Sequence, residues 1–282
     1  MDNFGAYAIS PWREKLRGQI PYYLKKNRTF ASILRHISLF GAGHSVDVET
    51  DLHGKVRLQV KNNITDKHVY RGQHVMGASD REIFSKVCSQ KAAVGESIHF
   101  VDVGTNSGLF SLEALMLARE VGAKYKFICI EPNPEMVSRL TKNFSFNEAE
   151  NISIKACAVS DSDGELFLDI SNKNLGEANI IAEPSANSVK VPVRKLIDIL
   201  EEENFPRPDI LKIDVEGHEV PALSSLLTVP HMRPNYIFVE IAHDKHALLP
   251  KLFSENDYTE INRSGINAVF VLKSKVETYG KS

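Results

Sequence analysis

Four short stretches hold the side chains whose types and spacing could do chemistry. Asp102, Gly104, Thr105, Asn106 and Gly108 lie in D-V-G-T-N-S-G, an acid followed at once by a glycine-rich bend. A carboxylate there can accept hydrogen bonds from a ligand's polar edge, and the glycines let the backbone approach closely. Glu131 opens E-P-N-P, with Asn133 inside it. Its two oxygens suffice to accept from both hydroxyls of a ribose. Lys212, Asp214 and Glu216 alternate in K-I-D-V-E-G-H-E. Residues two apart on a strand share a face, so Lys212 can hold Asp214 ionised beside a ligand, or the two can form an ion pair that fixes the strand end. Glu240 closes the run I-F-V-E, and His243 follows three residues later.

The elements that must position these groups alternate strand and helix. Residues 98–103 form an apolar run suited to a buried parallel strand, and Leu109, Leu112, Leu115, Met116 and Ala118 then recur at helical spacing. Residues 125–130 repeat the pattern and end at Glu131, with Met136, Val137, Leu140 and Phe144 on one helical face. Further strands are expected at 151–158, 209–215 and 235–241, a stretch at 191–202 leading into a helix that carries Leu196, Ile197, Ile199 and Leu200, a helix at 245–255, and a closing hairpin over 258–262 and 267–272. Residues 171–189 read as a loop, either covering a substrate or inserted at the surface. In open α/β sheets, ligands lie in the crevice at the carboxyl ends of the strands. Asp102 and Glu131 both fall there, which points to a nucleoside-type ligand.

A dinucleotide fingerprint, G-x-G-x-x-G, is not met, because Gly104 is followed by Thr105, Asn106 and Ser107 before Gly108. The pattern D-x-G-x-N-x-G together with EPNP resembles the FkbM family of S-adenosylmethionine-dependent O-methyltransferases. The stretches ACAVSDSDGELFL, DILKIDVEGHEVPAL and IFVEI extend the resemblance over residues 94–272. It implies a doubly wound, mostly parallel seven-stranded sheet of the class I, Rossmann-like type. It also implies S-adenosylmethionine as cofactor, S-adenosylhomocysteine as product, and an acceptor hydroxyl on a sugar, a surface polysaccharide or a small natural product. By the same resemblance Ala158 and Val159 meet the adenine. An acceptor hydroxyl must lose its proton, and a positioned base helps by about 10²- to 10⁴-fold. Asp214 is the first choice for that base or for an acceptor-orienting acid. Lys212 and Glu216 share its site, and Glu240 and His243 approach the acceptor. Asp214, Glu216, Glu240 and His243 could also hold Mg²⁺ or Ca²⁺, but they form no compact ligand motif and no metal is expected. Two rival readings are a non-catalytic scaffold that binds the cofactor and an NAD-dependent oxidoreductase.

The chain has 282 residues, 25% of them charged and 43% hydrophobic, with a formal net charge of -2. That is ordinary for a globular protein and gives no electrostatic case for a nucleic-acid partner. Cys88, Cys129 and Cys157 have no pairing or metal-ligand pattern. The N-terminus lacks the basic start and apolar core of a secretory signal, and no apolar run is long enough to span a bilayer, so a cytoplasmic location is expected. Residues 81–282 are expected to form the cofactor-binding domain and residues 1–80 an extension, serving as lid or homo-oligomer contact. Within it, residues 1–27 read as irregular or short helical structure, 29–40 as a helix capped by Thr29 and stopped at Gly41, and 46–60 as a hairpin. The helix at 29–40 is expected to pack on the catalytic domain or a second subunit, its own cations being too few for a membrane surface.

Overall fold

Apolar residues alternate along the buried strands, and the alternation sorts them into two cores, one on each face of a single sheet. The computed structural model describes residues 2–61, 63–170, 179–181, 184–244 and 247–276. The chain opens with helices α1 (Pro11–Lys26) and α2 (Arg28–Leu39), a hairpin of β1 (Val46–Thr50) and β2 (Gly54–Leu58), and helices α3 (Ile64–Tyr70) and α4 (Ala78–Ala93). Next come β3 (Ser97–Val103), α5 (Leu109–Glu120), β4 (Lys124–Ile130), α6 (Pro134–Phe146), β5 (Ile152–Lys155), β6 (Ala158–Ser160), β7 (Gly164–Asp169), β8 (Asn179–Ile181) and β9 (Ser188–Lys195). The chain continues with α7 (Leu196–Glu202), β10 (Ile210–Ile213), α8 (Glu219–Leu227), β11 (Tyr236–Glu240), α9 (Leu248–Glu255), β12 (Tyr258–Ser264) and β13 (Asn267–Leu272).

Seven strands form the main sheet in the order β12-β13-β11-β10-β3-β4-β5. The five from β11 to β5 run parallel, and at one edge β13 lies antiparallel between β11 and β12, which runs in the direction of the five. The strand order reverses between β3 and β10, which makes the crevice above their carboxyl ends the ligand site of such a sheet. On one face Ile98, Phe100, Phe127 and Ile210 pack with Leu112, Leu115 and Leu140. On the other Val101, Val103, Ile128 and Ile213 pack with Leu200, Leu223 and Phe253. The first core continues without a break into residues before 80: Ile20, Leu34, Val56, Leu58 and Tyr70 belong to it.

The structure departs from the sequence expectations at several elements. Residues 11–26 are a 16-residue helix although Pro21 lies inside it. Pro11 at the first turn favours the helix start, and contacts with α2 hold it. The cap of α2 is Asn27, not Thr29: the Asn27 side chain accepts from the Phe30 N–H at 3.0 Å. The strand expected at 151–158 is split, β5 staying in the main sheet while β6 joins a second, four-stranded sheet of order β6-β9-β7-β8. Residues 188–195, which join the end of the segment read as a loop to the start of the one read as leading into a helix, are the strand β9, with Val189, Val191 and Val193 alternating toward a small third core. Of the segment read as a loop over 171–189, residues 179–181 form β8 and pair with β7, while 171–178 and 182–183 lie outside the described residues. Helix α9 begins at Leu248; residues 245 and 246 also lie outside them.

Candidate functional site

The turn after β3 is fixed from both sides. Gly104 has a φ of +77°, and a β-carbon on it would stand 1.9 Å from the Asp214 carbonyl oxygen. Only glycine fits so close to the end of β10. Gly104 and Thr105 donate their N–H groups to the Ile130 carbonyl at the tip of β4, at 3.0 and 3.1 Å. The Thr105 hydroxyl donates to the Asp102 carbonyl at 2.7 Å. Gly108, with a φ of +85°, starts α5, and a β-carbon there would lie 2.5 Å from Leu140. Asn106, left-handed at a φ of 55°, accepts the Ser107 N–H on its own side chain and gives its backbone N–H to Glu131 Oε2 at 2.8 Å.

Asp102 does not face the crevice. Strand parity puts it on the α5 side of the sheet, where it is 0% exposed and accepts from the Ser111 hydroxyl at 2.6 Å. The register of β3 and β10 sets Lys212 directly beside it, with Lys212 Nζ 3.3 Å from Asp102 Oδ1. The same ammonium donates to the Gly104 carbonyl at 3.0 Å and lies 3.6 Å from Asp214 Oδ2. Burial alone would lower the Lys212 pKa, but the Asp102 and Asp214 carboxylates more than offset it and hold the group well above its ordinary value. Lys212 is therefore a fixed cation that ties the ends of β3 and β10 to the turn.

Glu131 is placed differently. It follows the last residue of β4 and reaches the cleft, buried but with each oxygen accepting one backbone N–H, from Asn106 and from Asn133 at 2.9 Å. Asn133 also caps α6 by accepting the Glu135 N–H, so it stands behind Glu131. Burial pushes the Glu131 carboxyl up to about 7, against the pull of the two N–H groups. Each carboxylate oxygen retains a lone pair for a ligand hydroxyl.

One cleft of about 280 Å³ joins these groups, lined by Gly104, Thr105, Asn106 and Glu131 on one side and by Lys212, Asp214, Glu216 and Glu240 on the other. Ala158 and Val159 line it as well, beside Cys157 and Leu168. Asp102, Gly108, Asn133 and His243 do not line it; they support residues that do. His243 Nε2 sits 3.1 Å from Glu216 Oε2, both half-exposed. The Glu240 carboxyl is raised to about 7, first by burial and then by the neighbouring Asp214 and Glu216 charges.

Sequence reasoning gave residues 1–80 a general role as lid or oligomer contact but named none of the residues with which they wall the cleft. Thr65, Val75, Gly77 and Asp80 all line the cleft. Burial raises the Asp80 pKa. The wall is latched to α5 by Glu113, which is 2% exposed. Glu113 accepts from the Val75 and Met76 N–H groups at 2.8 and 3.0 Å and pairs with His74 Nδ1. His53 Nε2 stands 3.4 Å from Glu113 Oε2. Burial would raise the Glu113 carboxyl, yet His53, the Met76 N–H and His74 together hold it at about 2. In the sequence, only an acid at a core position of α5 could have signalled this.

A seven-stranded sheet with this strand order, a tight turn after its central strand and an acid after the next defines a class I methyltransferase fold. Residues 102–260 match the family described as the methyltransferase FkbM domain, and the chain belongs to that family. Methyltransferase 1 of Beauveria bassiana is 26% identical over 166 residues, covering 52% of this chain and 65% of that protein. The hexuronic acid methyltransferase AglP of Haloferax volcanii is 25% identical over 167 residues, covering 57% of this chain and 65% of that protein. The chain thus spans just under two thirds of the length of these relatives. Among solved structures, methyltransferase FkbM from Methylobacillus flagellatus KT is similar at 17% identity, with a TM-score of 0.45, over 86% of this chain and 60% of that one.

Proposed function

We propose that the protein is an S-adenosylmethionine-dependent O-methyltransferase whose acceptor is a hydroxyl of a sugar, a surface polysaccharide or a small natural product. The observation that carries this reading is that Glu131 and Glu240 open into one cleft from opposite sides of the strand-order reversal. The first suits a nucleoside and the second an acceptor proton. The residues fit the cofactor: Glu131 has lone pairs to accept from a ribose, and Cys157, Ala158, Val159 and Leu168 give a partly apolar wall for a purine. When bound, S-adenosylmethionine supplies a methyl group on a sulfonium sulfur that leaves as a neutral thioether.

The rest of the chemistry belongs to this chain. Asp214 orients the acceptor hydroxyl, with its charge held by Lys212 3.6 Å away. Glu240, with a pKa of about 7, accepts the hydroxyl proton as the oxygen's electron pair forms the new O–C bond. A base whose pKa lies near the working pH combines availability with proton affinity. Asp214, which the sequence offers as base or as acceptor-orienting acid, takes the orienting role here, with the Lys212 ammonium beside it. Glu216, paired with His243, raises the proton affinity of Glu240 by its charge. The relative that acts on a hexuronic acid supports a carbohydrate as one class of acceptor.

Calorimetric titration with S-adenosylhomocysteine, wild type beside Glu131→Ala, tests the cofactor assignment. Binding by the wild type that is weakened in the variant is the expected result. Absence of binding by folded wild type overturns the reading and turns attention to NAD.

A further inference from the structure

The helical hairpin at the N-terminus carries a surface that the cleft chemistry does not use. On α2, Phe30, Ile33 and Ile37, with Phe40 just beyond its end, follow one another at helical spacing along one side. They are solvent-exposed, Ile33 at 47% and Phe40 at 78%. The neighbouring side of α2, with Ala31, Leu34 and Ser38, is the one buried against the body. On α1 the exposed large side chains are Trp12 near its start and Tyr22 near its end. Trp and Tyr have an apolar body and a polar tip, a combination that settles at the boundary between water and hydrocarbon.

Charge is concentrated on the same hairpin. Residues 11–44 hold seven Lys and Arg against one Glu, a formal +6 in a chain whose total is -2. Among the described residues, Lys15, Lys25, Lys26, Arg28 and Arg35 form no ion pair with a carboxylate; the one acid, Glu14, is taken by Arg17. Between α2 and α3 lies a groove of about 320 Å³ lined by Arg35, His36 and Lys67 with Leu39 and Val60. α3 also contributes Thr65 to the cleft wall, so the groove and the cleft share one short helix. The cation count that ruled against a membrane surface for residues 29–40 alone is changed by folding, because α1 brings Lys15, Lys25 and Lys26 alongside α2.

We infer that this hairpin docks the protein on the surface of a bilayer with anionic headgroups. The apolar stripe of α2 enters the acyl boundary, Trp12 and Tyr22 sit at the interface, and the lysines and the Arg35–His36–Lys67 groove meet lipid phosphates. A second copy of the chain is the poorer occupant. A two-fold contact would set the same patch against itself, opposing +6 with +6 around the apolar stripe. An anionic surface instead neutralises that charge as it covers the stripe. No described helix is long and apolar enough to cross a membrane, which leaves attachment at the surface. This inference stands on the hairpin alone and does not depend on the methyltransferase reading.

Flotation of the full chain with vesicles of phosphatidylcholine, and of phosphatidylcholine with an equal part of phosphatidylglycerol, tests it. The protein is expected to float with the anionic vesicles only and to be released as salt is raised. The triple variant Lys25→Ala, Lys26→Ala, Arg28→Ala is expected to weaken binding tenfold or more. Ile33→Ser with Ile37→Ser and Phe40→Ser should weaken it at least as much. All six positions are exposed, so an unchanged far-ultraviolet spectrum and melting temperature will show that both variants fold. Three outcomes each overturn the inference. One is absence of flotation by the wild type. Another is equal binding to neutral vesicles. The third is a wild-type dimer in sedimentation equilibrium that the Ile33/Ile37/Phe40 variant dissociates, which would assign the stripe to self-association.

Discussion

Asp102 and Glu131 stand at the same edge of the sheet on neighbouring parallel strands, and their surroundings give them opposite tasks. Asp102 falls one residue before the end of β3, so strand parity turns it toward α5, where Ser111 and Lys212 occupy it. Glu131 falls one residue past the end of β4, so it leaves the pleat and meets only backbone N–H groups, Asn106 and Asn133. Burial raises the pKa of both, but the first has a buried ammonium 3.3 Å away, whereas the second bonds only backbone N–H groups and rises to about 7. A two-residue difference in position relative to the strand end thus separates a carboxylate that holds the fold from one able to hold a ligand.

The comparison breaks most visibly at Asp102. Asp102→Ala removes the main partner of a buried ammonium and is expected to cost about 3 kcal/mol of stability, read from urea unfolding. The same variant, where still folded, should keep most of its affinity for S-adenosylhomocysteine. If affinity collapses while stability holds, the assignment of the two acids is reversed. Glu240 extends the contrast to the acceptor side. Glu240→Gln is expected to lower kcat about a hundredfold, the low end of what a positioned base contributes, and to abolish the rise of rate through pH 7 expected of the wild type.

For Glu131 the expected pattern is the inverse of Asp102. Glu131→Ala should cost about 2 kcal/mol of cofactor affinity, the scale of a hydrogen bond to a charged group, roughly thirtyfold by calorimetry, with little loss of melting temperature. The smallest effect concerns pH. Because the Glu131 carboxyl is raised from 4.5 to about 7, it accepts ligand hydroxyls fully only above pH 7. Affinity should fall below that by at most about tenfold per unit, one proton being involved. The same shift makes its ionisation a cost to folding that is absent below pH 4.5, grows between 4.5 and 7 and is complete above. In Glu131→Gln both dependences should flatten.

Much of this was legible in the chain. Acids set just after apolar β-rich runs marked the crevice, and Gly104 and Gly108 marked a turn that admits no β-carbon. The partner of Lys212 was not legible. Spacing within one strand pairs it with Asp214, whereas its nearer neighbour, Asp102, lies 110 residues away and comes into register only when β10 inserts beside β3. The second sheet escaped for the same reason, since β6 and β9 pair across more than thirty residues, although the alternation of Val189, Val191 and Val193 was an available signal. Pro21 disguised α1, because a proline in mid-helix reads as a break unless tertiary contacts offset it. The cleft wall from Thr65 to Asp80 depends on Glu113 meeting His53 and His74, three residues whose sequence separations carry no periodic pattern.

That latch bears on how the chain could be divided or exchanged. Residues before 80 are tied to those after by Glu113, by Arg139 paired with the fully buried Asp66, and by Asn143 and Asn147 bonded to the backbone of β2 at Arg57 and Lys55. A chain begun at residue 81 would leave Glu113 and Arg139 without their counterparts and lay open the core that Leu58 and Tyr70 share with Leu112. The N-terminal segment is therefore a poor unit for recombination with other members of the family at that point. A swap that hopes to preserve the fold has to carry α5 and α6 along with it.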